Sequence, residues 1–281
     1  MLFFRQAKIV LIGLVSAGVM IFSGTSVMAD SLHAEAQQQL NEQDVKAVLW
    51  MQRAAEYRAL CYQAYNIAWR EIEEAVAKHK AGSRPLAIVV DVDDTILDNT
   101  PLISGCVGTK WLAHDEQWSA WCHDEQAEPM PGAVEFLQAV DRLGVGIFYI
   151  TGREAPQDEE CSLRNLKRLK FPQISKKHVL MKKPNFSKPK RFALVNKDYD
   201  VILYMGDSMT DFPLGVKGLW QERNDITDKF KDDYGVRYIL LPNPTYGGWE
   251  NSLAAGYDKM TPQEKDAVRR AVLQPWQTHD E

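Results

Sequence analysis

The stretch 86–99, LAIVVDVDDTILDN, restricts what this 281-residue chain can fold into more than any other. Leu86 to Val90 is an unbroken apolar run rich in β-branched residues, the pattern of a strand buried on both faces of a parallel sheet. It stops in four carboxylates, Asp91, Asp93, Asp94 and Asp98. A strand that ends in acids sets them at the carboxyl edge of a sheet, where open α/β folds bind ligands. Asp91 and Asp93 are two apart and share a side in extended backbone. Crowded carboxylates repel unless a cation sits among them or a proton is shared. The pattern therefore points to Asp91 as a nucleophile, Asp93 as its acid/base partner and Mg²⁺ as the neutralising ion. The plainer alternative is a solvated Asp-rich turn that caps a helix.

The same logic recurs downstream. Val201 to Met205 is apolar and runs into Gly206-Asp207-Ser208-Met209-Thr210-Asp211. Gly206 permits close backbone approach. Asp207 reaches the ion of Asp91 if the two strands are neighbours, with Asp211 in support behind it. A further strand, Val145 to Ile150, ends in Thr151-Gly152-Arg153, where a hydroxyl followed by glycine suits an oxyanion. His178 to Met181 reads as a short strand. It leads into a basic stretch with Lys182, Lys183, Lys188, Lys190 and Arg191. Such runs are usually solvated, but an anion approaching several aspartates needs at least one of these cations. Val236 to Leu241 is the fifth strand and ends in PNPTYGGW, which carries Tyr246.

Residues 42–80 have helical spacing, and residues 30–41, polar and Gln-rich, read as a flexible leader. Residues 99–130 break the α/β rhythm with Trp111, His114, Trp118, Trp121 and His123, and read as an insertion lying over the acids, a cap. Trp118 and Trp121 share a helical face. Packing the cap down and stacking on a substrate ring both remain open for them. Helices are expected from Pro131 to Leu143, closed by Gly144, from Gln157 to Lys170, and from Thr261.

Residues 1–29 carry Arg5 and Lys8, an apolar run from Ile9 to Phe22 and the small-residue pattern Val27-Met28-Ala29. They read as a signal peptide cleaved after Ala29, which places the mature chain in the periplasm or outside the cell. That compartment lets Cys61, Cys106, Cys122 and Cys161 pair. Cys106–Cys122 is the favoured bridge because the two flank one short insertion. A net charge of −5 argues against a nucleic-acid polymer as partner.

DVDDT at 91–95, Thr151 after a strand, the lysines and GDSMTD at 206–211 together resemble the haloacid dehalogenase (HAD) superfamily. VVDVDDTILDN, PGAVEF, ILYMGDSMTDF and PNPTYGGWE are similar, more narrowly, to the class C bacterial acid phosphatases, which include 5′-nucleotidases of the lipoprotein e type. The resemblance implies a HAD-like, Rossmannoid three-layer α/β fold over residues 30–281, with a parallel sheet, a small cap after the first strand and an N-terminal helix. It implies that Asp91 attacks phosphorus, that Asp93 moves the proton, and that Thr151 and Lys188 bind the phosphoryl group. Lys183 is the competing lysine. Mg²⁺ would be held by Asp91, Asp207 and the Asp93 backbone carbonyl, with Asp211 behind them. Trp118 and Tyr246 would sandwich a base, beside Gly152 and Arg153. The implied substrate is a small phosphomonoester, a nucleoside 5′-monophosphate by preference. A broad or sugar-phosphate specificity and a non-catalytic storage protein are the alternatives. The lipid-bearing cysteine of the lipoproteins is missing, so no stable membrane anchor is expected. A homodimer stays open.

Overall fold

A computed structural model of the chain describes residues 31–112 and 115–276. The signal-peptide reading of 1–29 and His114 fall outside these residues.

The apolar runs form five parallel strands: β1 (Leu86–Val90), β4 (Gly146–Glu154), β5 (Val179–Lys182), β6 (Asp200–Gly206) and β7 (Tyr238–Leu240). Their spatial order is β5-β4-β1-β6-β7. The chain starts in the centre, builds outward through β4 and β5, and returns to the other side of β1 as β6. The order therefore reverses between β1 and β6, which is where open sheets of this kind place their ligands. Side chains alternate as strand geometry requires. Ile88 and Val90 join one core with Ile147, Tyr149, Leu203 and Met205. Ala87 and Val89 join the other with Phe148, Ile150, Val201 and Tyr204. A register shift opposite Ala87 and Ile88 makes room for Ile202 as an extra residue in β6. Helices cover both faces, giving the three layers expected.

On one face lie α3 (Ala55–Lys78) and α6 (Ala133–Arg142). Tyr57, Cys61, Ala64, Tyr65, Ala68 and Ile72 make the buried stripe of α3, with the three- and four-residue spacing of a helix packed along one side. The helix α7 (Glu159–Arg168) adds Leu163 and Leu166 to the same core. On the other face, α8 (Lys188–Asp198) buries Phe192 and Val195.

Several expectations change. The helix over 42–80 is two helices, α2 (Val45–Arg53) and α3, broken where Ala54 is extended at ψ 133°. No Gly or Pro marks the break. It lets α2 turn onto the cap helix α4 (Thr100–Cys106) while α3 stays on the sheet. The leader is not a loose segment: residues 31–42 are helical, α1, and Gln37, Leu40 and Asn41 are buried. The polar composition that reads as flexible is used internally. Gln37 donates to Asn41, and the Asn41 amide donates to the carbonyls of Thr109 (2.8 Å) and Trp111 (2.7 Å) in the cap. Pro131 lies just outside α6, whose N-cap is Gly132 at φ +90°, while Gly144 (φ +74°) ends it as expected. The strand expected to stop at Ile150 continues to Glu154, paired with Lys182.

The cap leaves the sheet through β2 (Leu97–Asp98) and returns through β3 (Glu128–Pro129). These two pair antiparallel as a ribbon at its base. Between them lie α4 and α5 (Asp115–Asp124). The favoured Cys106–Cys122 bridge is not formed. Cys122 on α5 pairs with Cys161 on α7, at a Cα–Cα distance of 5.8 Å, and Cys61 and Cys106 are buried free thiols. Closeness in sequence misled here. Packing of α5 against α7 brings Cys122 to a partner 39 residues on. The bridge ties the cap to the layer below. Replacing both cysteines by serine is expected to lower unfolding stability by about 2–4 kcal/mol, the usual effect of opening a loop of this size. Urea denaturation checks this, and an unchanged midpoint would contradict it.

Candidate active site

Asp91 is the first residue past β1, and its N–H continues the ladder to Met205 O at 2.9 Å. Asp207 follows β6, level with it across the switch point. The two acidic tips, 116 positions apart in sequence, thus come together because their strands are neighbours. Carboxylate oxygens of Asp91, Asp207 and Asp211 all lie within 4.8 Å of one another. Gly206 is obligatory, because a Cβ there would overlap the Cβ and carboxylate of Asp211. Asp211 sits in the single turn after β6, where it closes a capping box by accepting from Ser208 N at 2.9 Å.

Lys188, at the first turn of α8, puts its ammonium 2.6 Å from Asp91 Oδ1 and also on Asp211. Lys183 makes no ion pair among the described residues and lines a neighbouring groove. The placement therefore favours Lys188 over its competitor. The buried surroundings would push Asp91 up, reinforced by Asp211 and Asp93 and opposed by the Lys188 ammonium. Asp207 is driven well above the usual carboxylate range by burial, then by Asp211, Asp91 and Asp94, against the Asn243 amide.

Asp93 is handled differently. The Arg153 guanidinium holds it through Nε (3.1 Å) and Nη2 (2.8 Å). Asn99 Nδ2 donates to it at 3.0 Å and Thr151 Oγ1 at 3.2 Å. Burial would raise Asp93, but the Arg153 charge and these donors outweigh it and hold the carboxyl below its ordinary value. These contacts favour the carboxylate form of Asp93 over the protonated acid that a leaving group needs.

Asp91, Asp207 and Asp211 form a crowded, all-oxygen donor set in which Lys188 is the one ammonium in contact among the described residues, and these residues fit one hard divalent cation. They offer no sulfur or imidazole that would favour a softer metal.

Thr151 is fully buried. Its backbone carbonyl accepts from the buried Arg191, which also binds Leu180 O at 2.7 Å and so joins the ends of β4 and β5. Gly152 is exposed with open space where a side chain would lie. Trp118 on α5 meets Tyr246 edge to face, ring centroids 5.5 Å apart at 72°. Trp121 does not share that role. Its indole N–H donates to Asn99 Oδ1 at 2.8 Å and anchors the cap. The cleft beneath Trp118 encloses about 330 Å³ and is lined by Asp91, Asp93, Gly152, Lys188, Asp207 and Tyr246, among others.

Four residues of the site carried no assigned role in the sequence reading. Asp94, at φ +53°, accepts from the Tyr246 hydroxyl and from Asn99 N (3.1 Å), and burial pushes it up to about 7. Asn243 donates to Asp207 Oδ2 at 2.8 Å while its own carbonyl holds Thr245. Asn99 and Arg191 support Asp93 and Thr151. Asp94 and Asn243 lie within DVDDT and PNPTYGG, so the motifs marked the region but not the contact.

A buried aspartate beyond the first strand of such a sheet, a lysine across it and a second acidic tip are the arrangement of an aspartate-based phosphatase. The sequence matches the HAD superfamily, subfamily IIIB (acid phosphatase), over residues 18–249, and the chain belongs to that family. It is similar to the class C acid phosphatase from Bacillus anthracis, with 35% identity and a TM-score of 0.80 over 85% of this chain and 99% of the other. A second structure of that enzyme, with tungstate bound, matches with 34% identity and a TM-score of 0.78 over 84% and 99% of the two chains. The protein is therefore a phosphomonoesterase, and the storage-protein alternative falls away.

Proposed function

We propose that this acid phosphatase is exported, uses Mg²⁺ and hydrolyses nucleoside 5′-monophosphates through a phosphoaspartate at Asp91. The observation that carries the reading is the meeting of Asp91, Asp207 and Lys188 at the switch point of the sheet. Tungstate bound to the Bacillus anthracis relative supports an oxyanion site in the family. The export reading rests on residues 1–29 alone.

Asp91 Oδ attacks phosphorus, and the leaving alkoxide takes a proton by way of Asp93. Because Arg153 keeps Asp93 ionised, that proton arrives with the ester itself, as the monoanion that predominates below a phosphate pKa of about 6. This gives the preference for mild acid a physical origin. In the second half, Asp93 in its carboxylate form accepts a proton from the water that attacks the phosphoaspartate. Lys188 balances charge on the transferring oxygens, and Thr151 and Gly152 border them. Mg²⁺, held by Asp91 and Asp207 with the Asp93 carbonyl and supported by Asp211, supplies further charge stabilisation when bound. The substrate is a free small molecule.

Trp118 and Tyr246 would part to admit a base between them. Stacking is worth about 1–3 kcal/mol per base. Trp118→Ala is therefore expected to raise KM for nucleoside monophosphates by roughly tenfold while leaving p-nitrophenyl phosphate nearly unaffected. The edge-to-face contact favours the rival reading, a broad phosphatase that reads no ring. An unchanged nucleotide preference in Trp118→Ala and Tyr246→Ala would decide for it.

A further inference from the structure

The basic stretch that supplies Lys188 has more cations than phosphoryl transfer uses. Lys182, Lys183 and Lys190 line a groove of about 410 Å³ with Glu154, Asn185 and Ser187. Glu154 and Lys182 also line the catalytic cleft, so the groove adjoins it across that ion pair. Three ammonium groups against one carboxylate give this groove two net positive charges, in a chain whose net charge is −5.

These cations are available. Lys183 has no ion-pair partner among the described residues. Lys182 is paired with Glu154, but both side chains are about half exposed (57% and 46%), and such a pair is worth little and rearranges easily. Lys190 donates to Asn185 O at 2.9 Å, which uses one of its three hydrogens and holds it at the rim. The Ser187 hydroxyl makes no capping bond and has none among the described residues.

We infer that this groove is a second anion subsite, which takes a phosphate carried on the leaving group of the substrate. With the transferring phosphoryl at Asp91 and Lys188, the rest of the molecule must leave through the cleft. On this side the cleft adjoins the groove lined by ammonium groups. The inference rests on Asp91 and Lys188 being the transfer centre. It names a substrate class that this centre alone does not select: phosphomonoesters with a second phosphate on the nucleoside or the sugar. Attraction of this kind acts mainly on binding and is screened by salt.

The test uses the purified chain with Mg²⁺ and three probes. A nucleoside bisphosphate is compared with the matching nucleoside 5′-monophosphate, a hexose bisphosphate with the hexose monophosphate, and p-nitrophenyl phosphate reports basal turnover. In the parent protein the bisphosphates are expected to show about tenfold lower KM than their monophosphates at low salt, shrinking as salt is added. In Lys183→Gln/Lys190→Gln, which leaves Lys182 balanced by Glu154, the advantage should vanish while p-nitrophenyl phosphate turnover stays the same. An advantage in either pair supports the inference, because the members of each pair differ only in the second phosphate. Equal KM values within both pairs in the parent, or an advantage that survives the double change, would overturn it. If p-nitrophenyl phosphate is not hydrolysed by the parent, the transfer centre is what fails. Calorimetric binding of the bisphosphates to parent and double variant then decides the groove separately.

Discussion

Asp91→Asn is expected to lower turnover of p-nitrophenyl phosphate by about 10⁴-fold or more, the scale on which loss of a nucleophile is felt. Asparagine keeps the size and can still accept a hydrogen bond from Lys188 through its carbonyl. It also removes one of three crowded negative charges from a buried site, so the fold should survive with an unchanged circular dichroism spectrum. The loss then reports chemistry and not unfolding. A variant with the parent rate would mean that some other group attacks phosphorus.

The second large effect concerns the crowding of Asp91, Asp207 and Asp211 around the Lys188 ammonium. Chelation is expected to lower activity by about 10³-fold, corresponding to several kcal/mol of charge stabilisation lost from the transition state. Mg²⁺ should restore it. Asp207→Asn should behave like the chelated protein and resist rescue, because it removes one of the three carboxylates proposed to hold the ion. A second readout is independent of turnover. An ion that binds only the folded chain raises its melting temperature in proportion to the logarithm of its concentration. The parent should show that rise with Mg²⁺, and Asp207→Asn should show little of it. Full activity in metal-free protein would remove the cation from this account.

The parts of this molecule that were legible in its sequence are those where chemistry is local. The apolar run before Asp91 and the one before Asp207 are strands because β-branched residues buried on both faces have few other options. Their acids had to fall at one sheet edge. Thr151 followed from its place after a strand, whereas Lys188 was singled out from the basic stretch only by the family resemblance; the structure puts its ammonium on Asp91 and Asp211. What did not show in the sequence depends on contacts between distant segments. Arg153 has the appearance of a phosphate binder after a strand end, yet its guanidinium is occupied by Asp93, and its Nη1 faces Cys122 Sγ and Ser162 Oγ, both at 3.3 Å. The pairing of Cys122 with Cys161 follows from packing of α5 on α7, which no spacing reveals. Gln37 and Asn41 belong to a polar stretch whose burial makes sense only once the cap's carbonyls are in reach. Asp94 was visible as one acid among four. Its role, holding Tyr246 in place, needed the geometry of a loop 152 residues further along the chain.

The central claim is a covalent one, that the phosphoryl group passes through Asp91. Rapid quenching of the Mg²⁺-loaded protein during turnover, reduction of the acyl phosphate with borohydride and peptide mapping by mass spectrometry test it directly. The account predicts homoserine at position 91 and nowhere else, with none formed in Asp91→Asn. An unmodified Asp91 in protein quenched while turning over, or the label on another residue, would contradict it.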